Sequence, residues 1–229
     1  MTVLHIANKN YSSWSLRPWV LMRELAIPFE ERVTPFVAPG APSPFRAFSP
    51  SGRVPCLVDG DLVVWDSLAI AEYLAERRPD VWPRDRAARA WARCAAAEMH
   101  SGFGALREVC GMNCGLRVRI DPFPAAVLAD VARLDALWAD GLARFGGPFL
   151  AGPQFGAVDA FFAPVAFRAQ TYAPPLATAS RAYVDRLLAL PSMQAWYEAA
   201  LAEPWRDETH EQDVRRHGTV TSDLRRAPG

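Results

Sequence analysis

The chain has 229 residues, 51% of them hydrophobic and 22% charged, with 25 Lys and Arg balancing 25 Asp and Glu. That length supports one large core or two smaller ones, and the neutral balance excludes the basic footprint of a nucleic-acid binder or a polybasic membrane anchor. Apolar runs are short and broken by charge or proline, so no membrane-spanning helix is expected, and Met1–Ile6 lacks the pattern of a secretory signal; the expectation is a cytoplasmic protein.

The first 79 residues mix strand and helix signals. Val3 to Ala7 is a short strand candidate bounded by Asn8-Lys9-Asn10. Ser12 to Ala26 is helical after its first turn, with Ser15 as a candidate N-cap and Pro18 in the first turn, where its missing N–H costs little. Phe29 to Val33 alternates like a half-exposed strand. A proline-rich loop from Pro35 to Pro50 follows, with at most a short helix near Phe45–Phe48. Val54–Val58 and Leu62–Trp65 flank Asp59-Gly60-Asp61 as a hairpin, and Asp66-Ser67 caps a helix carrying Leu68, Ile70, Ala71 and Leu74.

From Arg84 to Trp205 only helical periodicity remains. Asp85 to about Val109 reads as one long Ala-rich helix, and Ala125–Phe145 as another, with Val127, Val131, Leu134, Leu137, Trp138 and Leu142 on one stripe. Helices over Val158–Tyr172, Arg181–Leu190 and Met193–Ala202 follow, separated by Pro174-Pro175 and Pro191-Ser192. The polar residues after Glu208 read as a loosely held terminus.

The four cysteines form no C-x-x-C pair and the four histidines are scattered, so no metal site is expected and buried free thiols are the simpler reading. No dinucleotide, Walker, zincin or nucleophile-elbow motif is present. What remains is Ser12-Ser13-Trp14-Ser15-Leu16-Arg17, between the first strand and first helix. Such a turn aims backbone N–H groups and the positive end of the helix dipole outward, which suits an anion. A serine without a base is a poor nucleophile, so these hydroxyls either stabilise another molecule's anion or simply cap the helix.

The order β-α-β, then β-β-α, then helices resembles a cytosolic glutathione transferase. S-S-W-S-L-R resembles the S-S-C-S-x-R signature of the zeta class, which includes maleylacetoacetate isomerases. Pro50 to Leu57 resembles the family's N-P-x-x-x-V-P-x-L loop, Trp65 to Leu74 its [EQ]-S-x-A-I-x-x-Y-L helix start, and Gly156 to Pro164 its [ST]-x-x-D capping segment, with Gly156 in place of the hydroxyl. The resemblance implies an α/β thioredoxin-like N-terminal domain (1–79), an all-α C-terminal domain (84–208) and a tail (209–229). It also implies glutathione as co-substrate, a small electrophile as second substrate, and a homodimer.

Carried over residue by residue, Ser12, with Ser13 as the neighbouring candidate, would hydrogen-bond the glutathione sulfur. Trp14 replaces the family's cysteine within the glutathione-binding set. Val54 would pair its backbone with the cysteinyl part beside an expected cis bond to Pro55, and Asp66 and Ser67 would hold the γ-glutamyl end. Arg53 would neutralise the glycyl carboxylate or stand solvated. On the co-substrate side the resemblance places His100, Phe103 and Arg107, with Met112 and Asn113 at the rim. Arg107 stands where Gln is usual, free to bind an acidic co-substrate or to pair with Glu98 or Glu108. Arg168 lies three residues before the usual zeta arginine position, which is Thr171 here. This, with Trp14, weakens the likeness to an isomerase specifically.

A free thiol has a pKa of about 8.5, and lowering it by two units needs about 2.7 kcal/mol. One hydroxyl-to-thiolate hydrogen bond at about 1.5–3 kcal/mol and a helix terminus at about 0.3–1 kcal/mol cover that. The reading is therefore a glutathione S-transferase that contributes no nucleophile of its own. The alternatives are a glutathione-dependent isomerase of a maleylacetoacetate-like acid and a non-catalytic binding module.

Overall fold

A computed structural model describes residues 1–226. The first half builds β1 (Thr2–Ile6), α1 (Ser13–Glu24), β2 (Glu30–Val33), a 3-10 turn (Pro44–Ala47), β3 (Cys56–Asp59), β4 (Leu62–Val64) and α2 (Ser67–Ala75). The sheet order is β2-β1-β3-β4, with β1 and β2 parallel and the other pairs antiparallel. Leu4 stands opposite both Glu31 and Leu57. Leu4, Ile6 and Leu57 are fully buried, as the inner strand of a covered sheet requires.

The second half builds α3 (Arg86–Ser101), α4 (Gly104–Val109), β5 (Leu116–Arg119), α5 (Ala125–Phe145), α6 (Ala157–Tyr172), α7 (Thr178–Leu188), α8 (Pro191–Ala202), α9 (Glu208–His217) and β6 (Thr219–Asp223). α6 is its axis, buried from Ala157 through Arg168, and α1 packs directly against it. Because α1 also borders β1 and α2, one helix joins the sheet to the helical half and its N-terminus opens between them.

Asp159 secures the start of α6. Its carboxylate accepts the Gly156 N–H at 3.0 Å, the Leu150 N–H at 3.0 Å and the Tyr183 hydroxyl at 2.8 Å. With glycine at the N-cap, the side-chain bond that serine or threonine would make is missing, and Asp159 supplies the reciprocal one.

Four expectations need correction. Helix α1 starts at Ser13, a turn earlier than Ser15 as its cap would imply, and Pro18 lies inside it; the Ser15 hydroxyl accepts the Ala7 N–H instead. The long Ala-rich helix breaks where Phe103 takes a left-handed conformation (φ 54°), beside Gly102, at which an added Cβ would lie 2.8 Å from the Glu98 carbonyl. The helical half is not purely α: β5 pairs antiparallel with β6. The polar terminus is ordered through α9 and β6, because Glu211 and Val214 turn inward and Glu211 binds Tyr11, Asn113 and Arg225. Positions 227–229 of that expected tail lie outside the described residues.

Candidate active-site cleft

The turn between β1 and α1 is fixed at every residue. The Asn8 carbonyl accepts the Tyr11 and Ser12 N–H groups at 3.2 and 2.9 Å, and the Asn8 side chain accepts the Phe36 N–H at 2.7 Å. Glu203, at the end of α8, accepts the Lys9 and Asn10 N–H groups at 2.5 and 3.2 Å. Asn10 bonds Asn113 and Gly115 N–H, and the Tyr11 hydroxyl donates to Glu211 at 2.8 Å. Thus clamped, the turn presents Ser12, Ser13 and Trp14 to a cleft of about 740 Å³. The loop around Phe36 to Pro44, together with Arg53 and Val54, forms a second wall. Arg107, Met112 and Arg168 close it from the helical half, and His210 from α9.

The two serines differ. Ser12 is buried and its hydroxyl donates to Ser15 at 2.7 Å. Ser13 is half-buried, and its hydroxyl makes no hydrogen bond among the described residues. To serve a sulfur in the cleft, Ser12 must turn its proton away from Ser15, whereas Ser13 has no such bond to give up.

Trp14 is sandwiched between guanidinium groups, with Arg17 4.1 Å and Arg107 4.5 Å from its ring centroid. Arg17 is buried, with Nε and Nη1 unpaired among the described residues. Burial first, then repulsion from Arg107 and Arg168, lowers its pKa, against a raising influence from Asp66. Burial also lowers Arg107, whose Nη1 donates to the His100 carbonyl at 3.2 Å, not to the Glu98 or Glu108 side chains; Glu98 pairs with Arg133. Arg168 donates Nε to the Cys110 carbonyl at 2.8 Å, and burial pushes it down to about 10. Guanidinium remains protonated in all three, so positive charge accumulates on this side of the cleft.

The predicted residues divide into two groups. Ser12, Ser13, Trp14, Arg53, Val54, Arg107 and Met112 share the cleft, and the Val54–Pro55 bond is cis. Asp66, Ser67 and His100 gather beyond Trp14. Asp66 caps α2 by accepting the Leu68 N–H at 2.9 Å and faces His100 Nε2 at 3.3 Å. The His100 ring lies edge-on to Trp14 at 5.2 Å. Burial lowers the His100 pKa, which Asp66 only partly offsets. Ser67 is buried with its hydroxyl unpartnered among the described residues, which fits a ligand acceptor at this helix start.

Two residues expected on the pocket wall lie elsewhere. Phe103 is buried in the core by the left-handed break. Asn113 is fully buried, accepting from Asn10 and donating to Glu211, because the loop after α4 runs beneath the β1–α1 turn rather than along the rim. His210 and Arg168 also line the cleft, though no motif places them there. The sequence carries a local signal for each: a lone arginine inside an apolar helix, and Asp207 three residues before His210 at a helix start.

The glutathione S-transferase N-terminal domain model matches residues 11–77 and the glutathione S-transferase C-terminal domain model matches 117–199. The chain belongs to the glutathione S-transferase family. A solved glutathione transferase homolog from Burkholderia, with bound glutathione, is 25% identical to this family member at a TM-score of 0.66, covering 87% of this chain and 97% of that one. A probable maleylacetoacetate isomerase of Caenorhabditis elegans is 30% identical over 109 residues, 47% of this chain and 50% of its own. Glutathione S-transferase Z1 of Arabidopsis thaliana is 51% identical over 45 residues, 19% and 20% of the two chains. The matches to these two curated relatives span half of their length or less. Among the described residues of this transferase-family chain, no cluster of His, Cys, Asp and Glu is arranged to hold a metal ion, and no helix is long and apolar enough to cross a membrane.

Proposed function

We propose that this family member binds glutathione in the cleft and stabilises its thiolate for attack on a small electrophile. The observation that carries this reading is the pair of serine hydroxyls, Ser12 and Ser13, held at the N-terminus of α1 and facing the cleft. Ser67 supports it, since its buried hydroxyl suits the γ-glutamyl carboxylate at the start of α2. Asp66 stands beside it for the ammonium, Val54 for the cysteinyl backbone and Arg53 for the glycyl carboxylate. In this reading residues 1–79 hold glutathione, 84–208 supply the second substrate's side, and the chain works as a homodimer through the exposed Leu62, Val63 and Trp65 around β4.

The chemistry is electrostatic. A hydroxyl aimed at sulfur favours the charged form, and the dipole of α1 adds to it. The thiolate then attacks an electrophilic carbon: its electron pair forms the new C–S bond while the carbon's π bond opens toward its neighbouring atom or its bond to a leaving atom breaks, that atom keeping the displaced pair. A second reading is favoured by Arg107 and Arg168: two cations on the cleft wall suit an unsaturated diacid, which makes a glutathione-dependent isomerase of a maleylacetoacetate-like acid the alternative reaction.

Titration with glutathione, followed by the ultraviolet absorbance of its thiolate, tests the proposal. The band is expected in wild type and is expected to fall sharply in Ser12→Ala or Ser13→Ala, whichever serine holds the sulfur. Tight binding without a thiolate band would instead mark a non-catalytic module. A chain that ignores glutathione refutes both.

A further inference from the structure

Helix α9 carries into the cleft a titratable group that the serine scheme does not use. The His210 ring stacks on Tyr11 with centroids 5.0 Å apart and lies 5.1 Å from Phe36. Its Nδ1 is 2.6 Å from Oδ1 of Asp207, the N-cap of α9, and the same oxygen accepts the His210 N–H at 3.1 Å. A carboxylate only accepts, so Nδ1 carries a proton, and in the neutral imidazole it is then Nε2 that holds the free lone pair. Asp207 is buried, which fixes the orienting partner. Nε2 makes no hydrogen bond among the described residues, and the ring lines the same cleft as Ser12 and Ser13.

We propose that His210, oriented by Asp207, is a catalytic base of this site and takes the proton that leaves the glutathione thiol. The inference rests on the proposed glutathione chemistry. Ser12 and Ser13 stabilise a thiolate by donating to it; neither hydroxyl can hold the displaced proton near neutral pH. In the step, the S–H bond breaks, the electron pair stays on sulfur, and an Nε2–H bond forms directly or through one water. An imidazolium is left against the Asp207 carboxylate. After the C–S bond has formed, that proton passes to the carbanion or leaving atom of the product, and the imidazole is neutral again.

The surroundings support this assignment. From its own helix the ring faces Asp207, and the next residue, Glu211, is committed to Tyr11 and Arg225. Tyr11 and Phe36 flank the ring as uncharged surfaces. The charged groups elsewhere on the cleft wall are Arg53, Arg107, Glu108 and Arg168. The thiolate–imidazolium pair formed in the step is of the kind that lowers thiol pKa values elsewhere.

Counting protons tests it. The full chain is titrated with glutathione at about pH 7.5, above the ordinary imidazole range, in buffers of different ionisation heat, while thiolate absorbance is followed in parallel. Wild type is expected to form thiolate with almost no net proton release, and His210→Gln to release close to one proton for each thiolate it forms. Asp207→Asn retains an N-cap residue but not the charge, and is expected to release protons at an intermediate level. One proton released per thiolate in wild type overturns the assignment, as does an unchanged count in His210→Gln. Absence of any thiolate in wild type, by contrast, removes the proposed glutathione chemistry itself and the base with it.

Discussion

Replacing Glu211 by alanine removes one acceptor from three donors in three segments far apart in the chain: the Tyr11 hydroxyl at 2.8 Å, Asn113 Nδ2 at 3.2 Å, and the Arg225 guanidinium. Glu211 and the Arg225 side chain are both buried. A stranded buried donor costs about 1–3 kcal/mol, and a buried ion pair that loses one partner costs about 3–5 kcal/mol. These overlap, so the net loss is about 4 kcal/mol, against a total stability of about 5–15 kcal/mol. For a chain of this length that lowers Tm by about 8–16 °C. Thermal unfolding at fixed protein concentration measures it, with Arg225→Met and the double variant completing a cycle. The double variant should lose less than the sum of the singles, because neither member of the buried Glu211–Arg225 pair is then left without the other, and Asp223, the second carboxylate on Arg225, is exposed to water. A drop below about 3 °C for Glu211→Ala would refute the view that the terminus is locked to the turn. The pH dependence carries a sign. Burial works to raise the Glu211 pKa, but hydrogen bonds from Arg225 and Tyr11 outweigh it and hold the carboxyl below its ordinary value. Its contribution is therefore present above the unfolded pKa and is lost as pH falls through the lower folded value. The gap between wild type and Glu211→Gln should close on acidification.

Gly141→Ala, which helix propensity alone would favour by about 1 kcal/mol, should instead destabilise by about 1–3 kcal/mol in urea unfolding, because the new Cβ meets Trp91 at 2.4 Å and the Leu150 carbonyl at 2.7 Å. Asp159→Ala strands two backbone N–H groups and the Tyr183 hydroxyl and should cost about 3–5 kcal/mol by the same measurement. Arg168→Met should raise KM for anionic co-substrates by about 10–100-fold, the equivalent of a charge-assisted hydrogen bond, while leaving neutral electrophiles within about twofold; equal effects on both would separate Arg168 from substrate charge.

The sheet, its hairpin and α5 were legible because they rest on local signals: alternation, a turn tripeptide, a helical stripe closed by Gly146-Gly147-Pro148. The serine run was legible as the junction where a strand meets a helix, because hydroxyl residues favour helix starts. What escaped depends on polar pairing between distant segments. Glu211 and Arg225 look like surface charges in a polar tail until Tyr11 and Asn113 are brought beneath them. Asn113 looked like a rim residue because nothing local shows that its loop passes under the turn. The break at Phe103 escaped because a bulky residue with positive φ has no composition signal.

Glu203 ties the last turn of α8 to the Lys9 and Asn10 amides, almost two hundred positions earlier in the chain. During synthesis the serine-bearing turn emerges long before the residues that clamp it. Bonds within the turn and to Phe36, Asn113 and Gly115 can form first, but the Lys9 and Asn10 amides stay without their acceptor until residue 203 has been made. A chain cut short before residue 203 keeps its serines but loses the Glu203 carboxylate that holds the start of their turn.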